Sequence, residues 1–458
     1  MNEQAAPQSY LIRNARIVKP TRVLSGDVVI ENGVISCIGE PPLCPGDHEI
    51  IDAPGCYVVP GFVDIHCHGG MGLDLTEGEY DPATGAFNAL PERYEEGLPR
   101  LMEALARAGT TRMLLATVAA PEERLKRCLA SLGDYVAGDR NGVDGTRLDG
   151  AFIEGTFIRN RAFAGAQNPD YFFEPSIDLV DRLNEAAGKT IRYVNVVPEW
   201  GEPAVRLARD LTDRGILVGA GHTEASAEQY MEVVKAGLQV AVHFTNGPTG
   251  TSFKPFGGGG GVFQAVLRSH AVMAELICDG FHINPSYVRD IIRRKRPERI
   301  IAITDAMFPS GRGDIDTFEV AGIRGRAAEG GRYLAVEGTA QTLFGSLIRM
   351  RDAFSNILSW LTRRMPGIWR DEHLPFDTEE AIVDVARMCA TNPARALGIF
   401  DPASQRLGQD LSGFCGGVQV GKRADLAVIR LDGEPGYYDV AVTHTFVGGR
   451  LFTPNGDG

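Results

Sequence analysis

The sequence predicts an α/β protein: a (β/α)8 TIM barrel carrying a small β-sandwich domain built from both chain termini. Three observations predict it. Eight apolar strand candidates alternate with helical stretches through the middle of the chain, the pattern of parallel strands joined by crossover helices. The polar residues of these strands gather at their C-terminal ends, where barrel enzymes of every chemistry build their sites. Both ends of the chain show instead short β segments with Asn and Gly at the turns.

The N-terminal β segments are YLIRNARIV (10–18), GDVVIENGVISCIG (26–39) and HEIIDAPG (48–55), and residues 421–452 repeat the same texture. Either set alone would be marginally stable, so the two ends are expected to meet in one β domain. The expected division is 1–56 and 398–458 for that domain and 57–397 for the barrel. Barrel strands are read at 58–68, 110–118, 149–155, 190–199, 215–223, 238–246, 272–282 and 299–307. Segments 312–332 and 363–376 read as exposed additions, and 257–261 is a Gly-rich patch in the loop after the sixth strand. With 458 residues, 44% of them apolar, the chain can fill a barrel core of about 250 residues and a smaller satellite.

Charge and composition narrow the class. Forty-six basic against 59 acidic residues leave a net charge of −13 with no long basic run, which argues against nucleic acid as a partner. No apolar run approaches the roughly 20 residues of a membrane span, so no membrane partner is expected. The polar start lacks a secretory pattern, and the eight scattered cysteines contain no C-x-x-C pair, so a reducing cytoplasm is the expected location.

The chemistry is carried by the strand ends. In His66-Cys67-His68 the two imidazoles share a face of the first strand, point into the barrel mouth and can hold one ion, while Cys67 points away. Glu154 ends the third strand, His222 the fifth, His243 the sixth and Asp305 the eighth. Of nine histidines in the chain, four stand at these ends and a fifth, His282, ends the seventh strand, a distribution that core packing does not explain. Nitrogen and oxygen donors without thiolate suit zinc, iron, cobalt or manganese. Asp305 reads either as a ligand or as a catalytic carboxylate that takes a proton from an attacking water and returns it to a leaving amine, so hydrolysis is the natural chemistry.

These residues resemble the amidohydrolase superfamily. The segments PGFVDIHCHGG, IEG with GAQNPDYF after it, VVPE, GAGHTEAS, HFTNG, CDGFH, TDAM, CATNPARALGI and GKRADLAVI resemble the N-acetylglucosamine-6-phosphate deacetylases in order and spacing. The resemblance is loose over 10–452 and close over 60–307. It implies Glu154, His222 and His243 as principal metal ligands, His66 and His68 as completing a second site, and Asp305 as general acid/base. One or two divalent ions per subunit follow, zinc foremost, and a homodimer whose subunits meet near the phosphate pocket.

The resemblance also implies substrate contacts. His282 would touch the sugar or its phosphate and Gln167 a sugar hydroxyl. Asn246 and the Gly247 amide would cradle the phosphate, with Lys254 where the family has Arg, a change that keeps the charge but loses the planar two-point fork. Leu343 and Phe344 would wall the acetyl pocket or belong to the core. The activity implied is hydrolysis of N-acetylglucosamine 6-phosphate to glucosamine 6-phosphate and acetate. The rivals are another N-acyl substrate, such as N-acetylgalactosamine 6-phosphate, an unphosphorylated N-acetyl sugar or an N-acyl amino acid, and, from another class, a non-catalytic barrel scaffold.

Overall fold

A computed structural model describes residues 9–39, 47–246, 260–339, 342–402 and 411–454. Gly247 and Lys254, with most of the Gly-rich patch, lie outside the described residues. The eight expected barrel strands are present at Phe62–Asp64, Thr110–Ala116, Arg147–Ile153, Ile191–Asn195, Leu217–Ala220, Val240–Ala241, Met273–Ile277 and Ile300–Ile303. They pair in parallel in chain order. The first and last strands are joined at the mouth, where Asp305 N donates to His66 O and His68 N to Ala306 O, both at 2.8 Å.

Alternation along each strand sorts the side chains into two cores. Leu114 and Ala116, Phe152, Tyr193, Ile277, Ile301 and Ile303 point inward. Met113 and Leu115, Ala151 and Ile153, Leu276 and Ala302 point outward against the helices. This period of two leaves the inward face of every strand aimed at the barrel axis, and its last member at the mouth. The helices bury the opposing stripe, for example Tyr94, Leu98, Leu101 and Met102 of Pro91–Arg107. Local signals set their starts: Ser226 accepts from Gln229 N while Gln229 returns a bond to the Ser226 amide, a capping box that opens Ala227–Lys235 straight after His222.

The chain ends meet in one eight-stranded sheet. Tyr57–Pro60 pairs in parallel with Tyr10–Val18 on one side and antiparallel with Leu426–Glu434 on the other, immediately before the first barrel strand. Tyr10–Val18 also pairs with Glu49–Asp52, so the sheet branches and wraps a core of its own, with Ile12, Ile17, Val28, Ile30, Val58, Val428 and Phe446 inside.

Segment 312–332 departs from its expectation. Thr317–Val320, Ile323–Ala328 and Tyr333–Val336 form an antiparallel sheet whose Phe318, Val320 and Leu334 are buried against Met307, Phe308 and Phe344. Its alternating polar residues face outward, which is why the segment reads as exposed in a linear scan. Segment 363–376 does show exposed Ile368, Trp369, Leu374 and Phe376, yet it is pinned to the neighbouring helix: Asp290 Oδ2 accepts from the Ile368 and Trp369 amides at 2.7 and 3.0 Å, and Arg289 donates to the Arg363 and Leu374 carbonyls at 2.7 and 2.8 Å.

Candidate metal centre and active site

Six buried donors converge at the C-terminal mouth of the barrel as two groups, His66 with His68 and Asp305, and Glu154 with His222 and His243. Glu154 touches both. Its Oε1 lies 2.9 Å from His243 Nε2, 3.4 Å from His222 Nε2 and 3.5 Å from His66 Nε2, and its Oε2 lies 3.4 Å from His68 Nε2. Asp305 Oδ1 stands 3.2 Å from His68 Nε2 and 3.5 Å from His66 Nε2.

The imidazoles are oriented from behind. Nδ1 of His222 meets Phe163 O at 2.9 Å, Nδ1 of His243 meets Asn246 O at 2.9 Å, and Nδ1 of His66 meets Glu275 Oε2 at 3.1 Å. Carbonyl and carboxylate oxygens accept, so each Nδ1 carries its proton and each Nε2 turns a lone pair to the centre. Nε2 of His222 and His243 then face each other at 3.0 Å, an arrangement that needs a shared proton or a cation between them. His66 Nε2 is buried with no hydrogen-bond partner. An orphaned, inward-facing nitrogen among carboxylates fits a divalent ion, and the donor set is that of zinc, iron, cobalt or manganese.

Electrostatics agree with that reading. Burial alone would pull His66 and His68 down, but Asp305, Glu154 and, for His66, Glu275 outweigh it and lift both to about 9. Burial would raise Glu154 and Asp305, but the surrounding imidazoles hold both below the ordinary carboxylate range, Glu154 well below. A cluster that stabilises carboxylate charge and attracts protons to its imidazoles is one a cation can replace.

Three donors sit in the left-handed backbone region, His222 at φ 55°, His243 at φ 30° and Asp305 at φ 50°. Each such residue costs about 1–3 kcal/mol and persists only where its neighbours over-determine it. Beside Asp305, Thr304 Oγ1 donates to Asp64 Oδ2 at 2.5 Å and Asp64 Oδ1 accepts from His66 N at 3.3 Å, tying the eighth strand to the first. Beside His222, the Thr223 hydroxyl donates to Glu199, which also accepts from Glu224 N at 3.3 Å. Gly345, at φ 56°, lets the loop pass Asp305, because a Cβ there would stand 2.7 Å from Asp305 O.

The donors open into a cavity of about 410 Å³, within the size range of small-molecule sites. His282, Asn246, Leu343 and Gln167 all line it, with Met307, Phe344 and Val118 as apolar wall. Asn246 Nδ2 is buried without a partner among the described residues, a donor beside the cavity. His282 Nδ1 is held by Asp279 Oδ2 at 2.7 Å. Gln167 spends both ends of its amide inside the protein: Nε2 donates to Glu154 Oε2 at 2.6 Å and Oε1 accepts from Ala119 N at 2.7 Å. Gly155, at φ 79°, makes room for it, since a Cβ would meet Gln167 Oε1 at 2.5 Å.

Sequence reasoning missed four residues here. Asp64 and Glu275 are single acids within apolar strands; Glu275 shares the inward register of Ile277, whereas Asp64, between the inward Val63 and Ile65, turns to the outer face. Thr304 precedes the expected Asp305 but carries no signal of its own. Arg161 is the one Arg or Lys lining the cavity among the described residues, where its guanidinium pairs with Asp170 at 2.7 Å on the rim.

Comparison with known proteins agrees with this geometry. Residues 57–452 match the model of the Amidohydrolase family. The N-acetylglucosamine-6-phosphate deacetylase of Bacillus subtilis (strain 168) is 28% identical, over 93% of this chain and 94% of its own length. The N-acetylgalactosamine-6-phosphate deacetylase of Escherichia coli O157:H7 is also 28% identical, over 88% of this chain and 89% of its own. The crystal structure of N-acetyl-D-glucosamine-6-phosphate deacetylase from Mycobacterium smegmatis superposes with a TM-score of 0.76 at 26% identity, covering 96% of this chain and 99% of that one. A family match spanning most of the chain, on a barrel whose mouth holds two buried donor groups, establishes that this chain belongs to the amidohydrolase family.

Proposed function

We propose that this chain is a metal-dependent deacetylase that hydrolyses N-acetylglucosamine 6-phosphate to glucosamine 6-phosphate and acetate. The observation that carries the reading is the pair of buried donor groups sharing Glu154 at the base of a cavity walled by Leu343, Phe344 and Met307. The names of the full-length relatives supply the substrate class.

His66, His68 and Asp305 would hold one ion and Glu154, His222 and His243 the other, zinc foremost. A divalent ion there supplies acidity to a water and polarises the acetyl carbonyl. Asp305, at the cavity wall, takes the proton of the attacking water and delivers it to the sugar nitrogen as the C–N bond breaks. Leu343, Phe344 and Met307 offer an apolar seat to the acetyl methyl. Asn246, with its free amide donor, and His282, anchored by Asp279, face the sugar and its phosphate. Gln167 acts in this reading through Glu154, whose free oxygen it fixes, and contacts a sugar hydroxyl only by giving up one of its two bonds. The reading includes a homodimer working in the cytoplasm; among the described residues no helix is long and apolar enough to cross a membrane.

The second reading, N-acetylgalactosamine 6-phosphate, rests on one relative, the Escherichia coli enzyme, and has less behind it than the first. Acetate release from both 6-phosphates and from unphosphorylated N-acetylglucosamine tests the assignment. Preference for the glucosamine ester with a large loss when phosphate is removed supports it; faster turnover of the galactosamine ester replaces it with the second reading, and equal rates with and without phosphate sink both.

A further inference from the structure

Glu275 is not among the residues that line the cavity over the donors, yet both donor groups lean on it. It stands on strand Met273–Ile277, shares the inward face with Ile277 and is fully buried. Its Oε2 accepts from His66 Nδ1 at 3.1 Å and from the His243 backbone amide at 3.0 Å, and its Oε1 accepts from the Tyr193 hydroxyl at 3.0 Å. Among the described residues no Lys or Arg pairs with it; its one ion-pair partner is His66. The inward positions around it carry Ile277, Ile301, Phe152 and Val242, so packing alone would favour an apolar side chain. Burying a carboxylate there costs several kcal/mol unless its lone pairs are filled.

We propose that Glu275 is a positioning residue that sets one ligand of each donor group. By accepting the His66 Nδ1 proton it fixes the tautomer that leaves Nε2 free for the centre, holds the ring plane and raises the basicity of the imidazole. The same oxygen anchors the His243 amide, and so the left-handed turn, φ 30°, that aims His243 at Glu154. Tyr193, stacked on Phe152 with ring centroids 3.9 Å apart, clamps the other carboxylate oxygen and stops the group from rotating. A carboxylate under strand seven thereby braces residues of strands one and six together.

The inference rests on reading the two groups as metal sites, and one experiment separates the two claims. Zinc is titrated against a competing chelator in wild type, Glu275→Leu, Glu275→Gln and Tyr193→Phe, with thermal unfolding of each metal-free protein alongside. Wild type that binds no zinc ends the metal reading and the inference with it. Given wild-type binding, Glu275→Leu is expected to lose about 10–100-fold in affinity. Glu275→Gln, which keeps an acceptor oxygen, recovers part of that, and Tyr193→Phe shows a smaller loss in the same direction. A merely structural carboxylate would lower the unfolding temperature and leave affinity at the wild-type value in every variant. That result, or wild-type affinity in Tyr193→Phe should both Glu275 variants fail to fold, overturns the proposal.

Discussion

The two donor groups differ in what holds them. His66, His68 and Asp305 sit at the ends of the first and eighth strands and are braced by the barrel strands themselves, by Glu275 behind His66 and by the Asp64–Thr304 pair that fastens one strand to the other. Glu154, His222 and His243 sit at the ends of the third, fifth and sixth strands; Glu275 reaches this group only through the His243 backbone amide, and its side chains are braced from the loops, by the carbonyls of Phe163 and Asn246 and by the Gln167 amide. A ligand braced by barrel strands is set once, when the barrel folds. A ligand braced by loops that also line the cavity is set by the same segments that meet the substrate. The first group is therefore set by the barrel, whereas the side chains of the second, apart from the His243 amide held by Glu275, are set by segments that also line the cavity.

The largest effect is expected of Glu154→Gln, because the Glu154 carboxylate lies within 3.5 Å of all four imidazoles, two in each group. Metal analysis of the purified variant is expected to show loss from both groups, with acetate release at background; retention of two ions per chain would contradict the shared role. Asp64→Asn should damage only the barrel-braced group. Its Thr304 anchor weakens, and affinity for one ion is expected to fall about 10–100-fold while the other is retained. Gln167→Leu is the mirror experiment on the loop-braced group. It leaves Ala119 N unpaired, at about 1–3 kcal/mol, and frees Glu154 Oε2; chelator titration should show the other ion weakened, and urea unfolding should show the loss of stability. The smallest effect is Gly345→Ala, which strains the turn beside Asp305 by about 1–3 kcal/mol. Its thermal midpoint should fall while the bound metal is retained.

The barrel and its donors were legible because their signal is local. An apolar run ending in His, Glu or Asp shows both the strand and the direction it opens, and His66, His68, Glu154, His222, His243 and Asp305 all lie at the mouth where those runs place them. What was not legible is support that depends on partners far apart in sequence. Glu275 is one acid inside MAELI, and its value depends on a histidine 209 residues away. Gln167 reads as a cavity residue, which it is, but its bonds to Glu154 and Ala119 follow from the fold of the loop. Segment 317–336 hides a buried face because alternation with period two in short strands resembles a polar loop when scanned linearly.

Parallel assay of wild type and Asp305→Asn on N-acetylglucosamine 6-phosphate, with the zinc content of each sample measured, tests the central claim most directly. Wild type is expected to release acetate and the variant to lose about 10²–10⁴-fold in kcat, with bound metal retained through the other donors. Acetate from neither protein, with wild type fully loaded with metal, would contradict it.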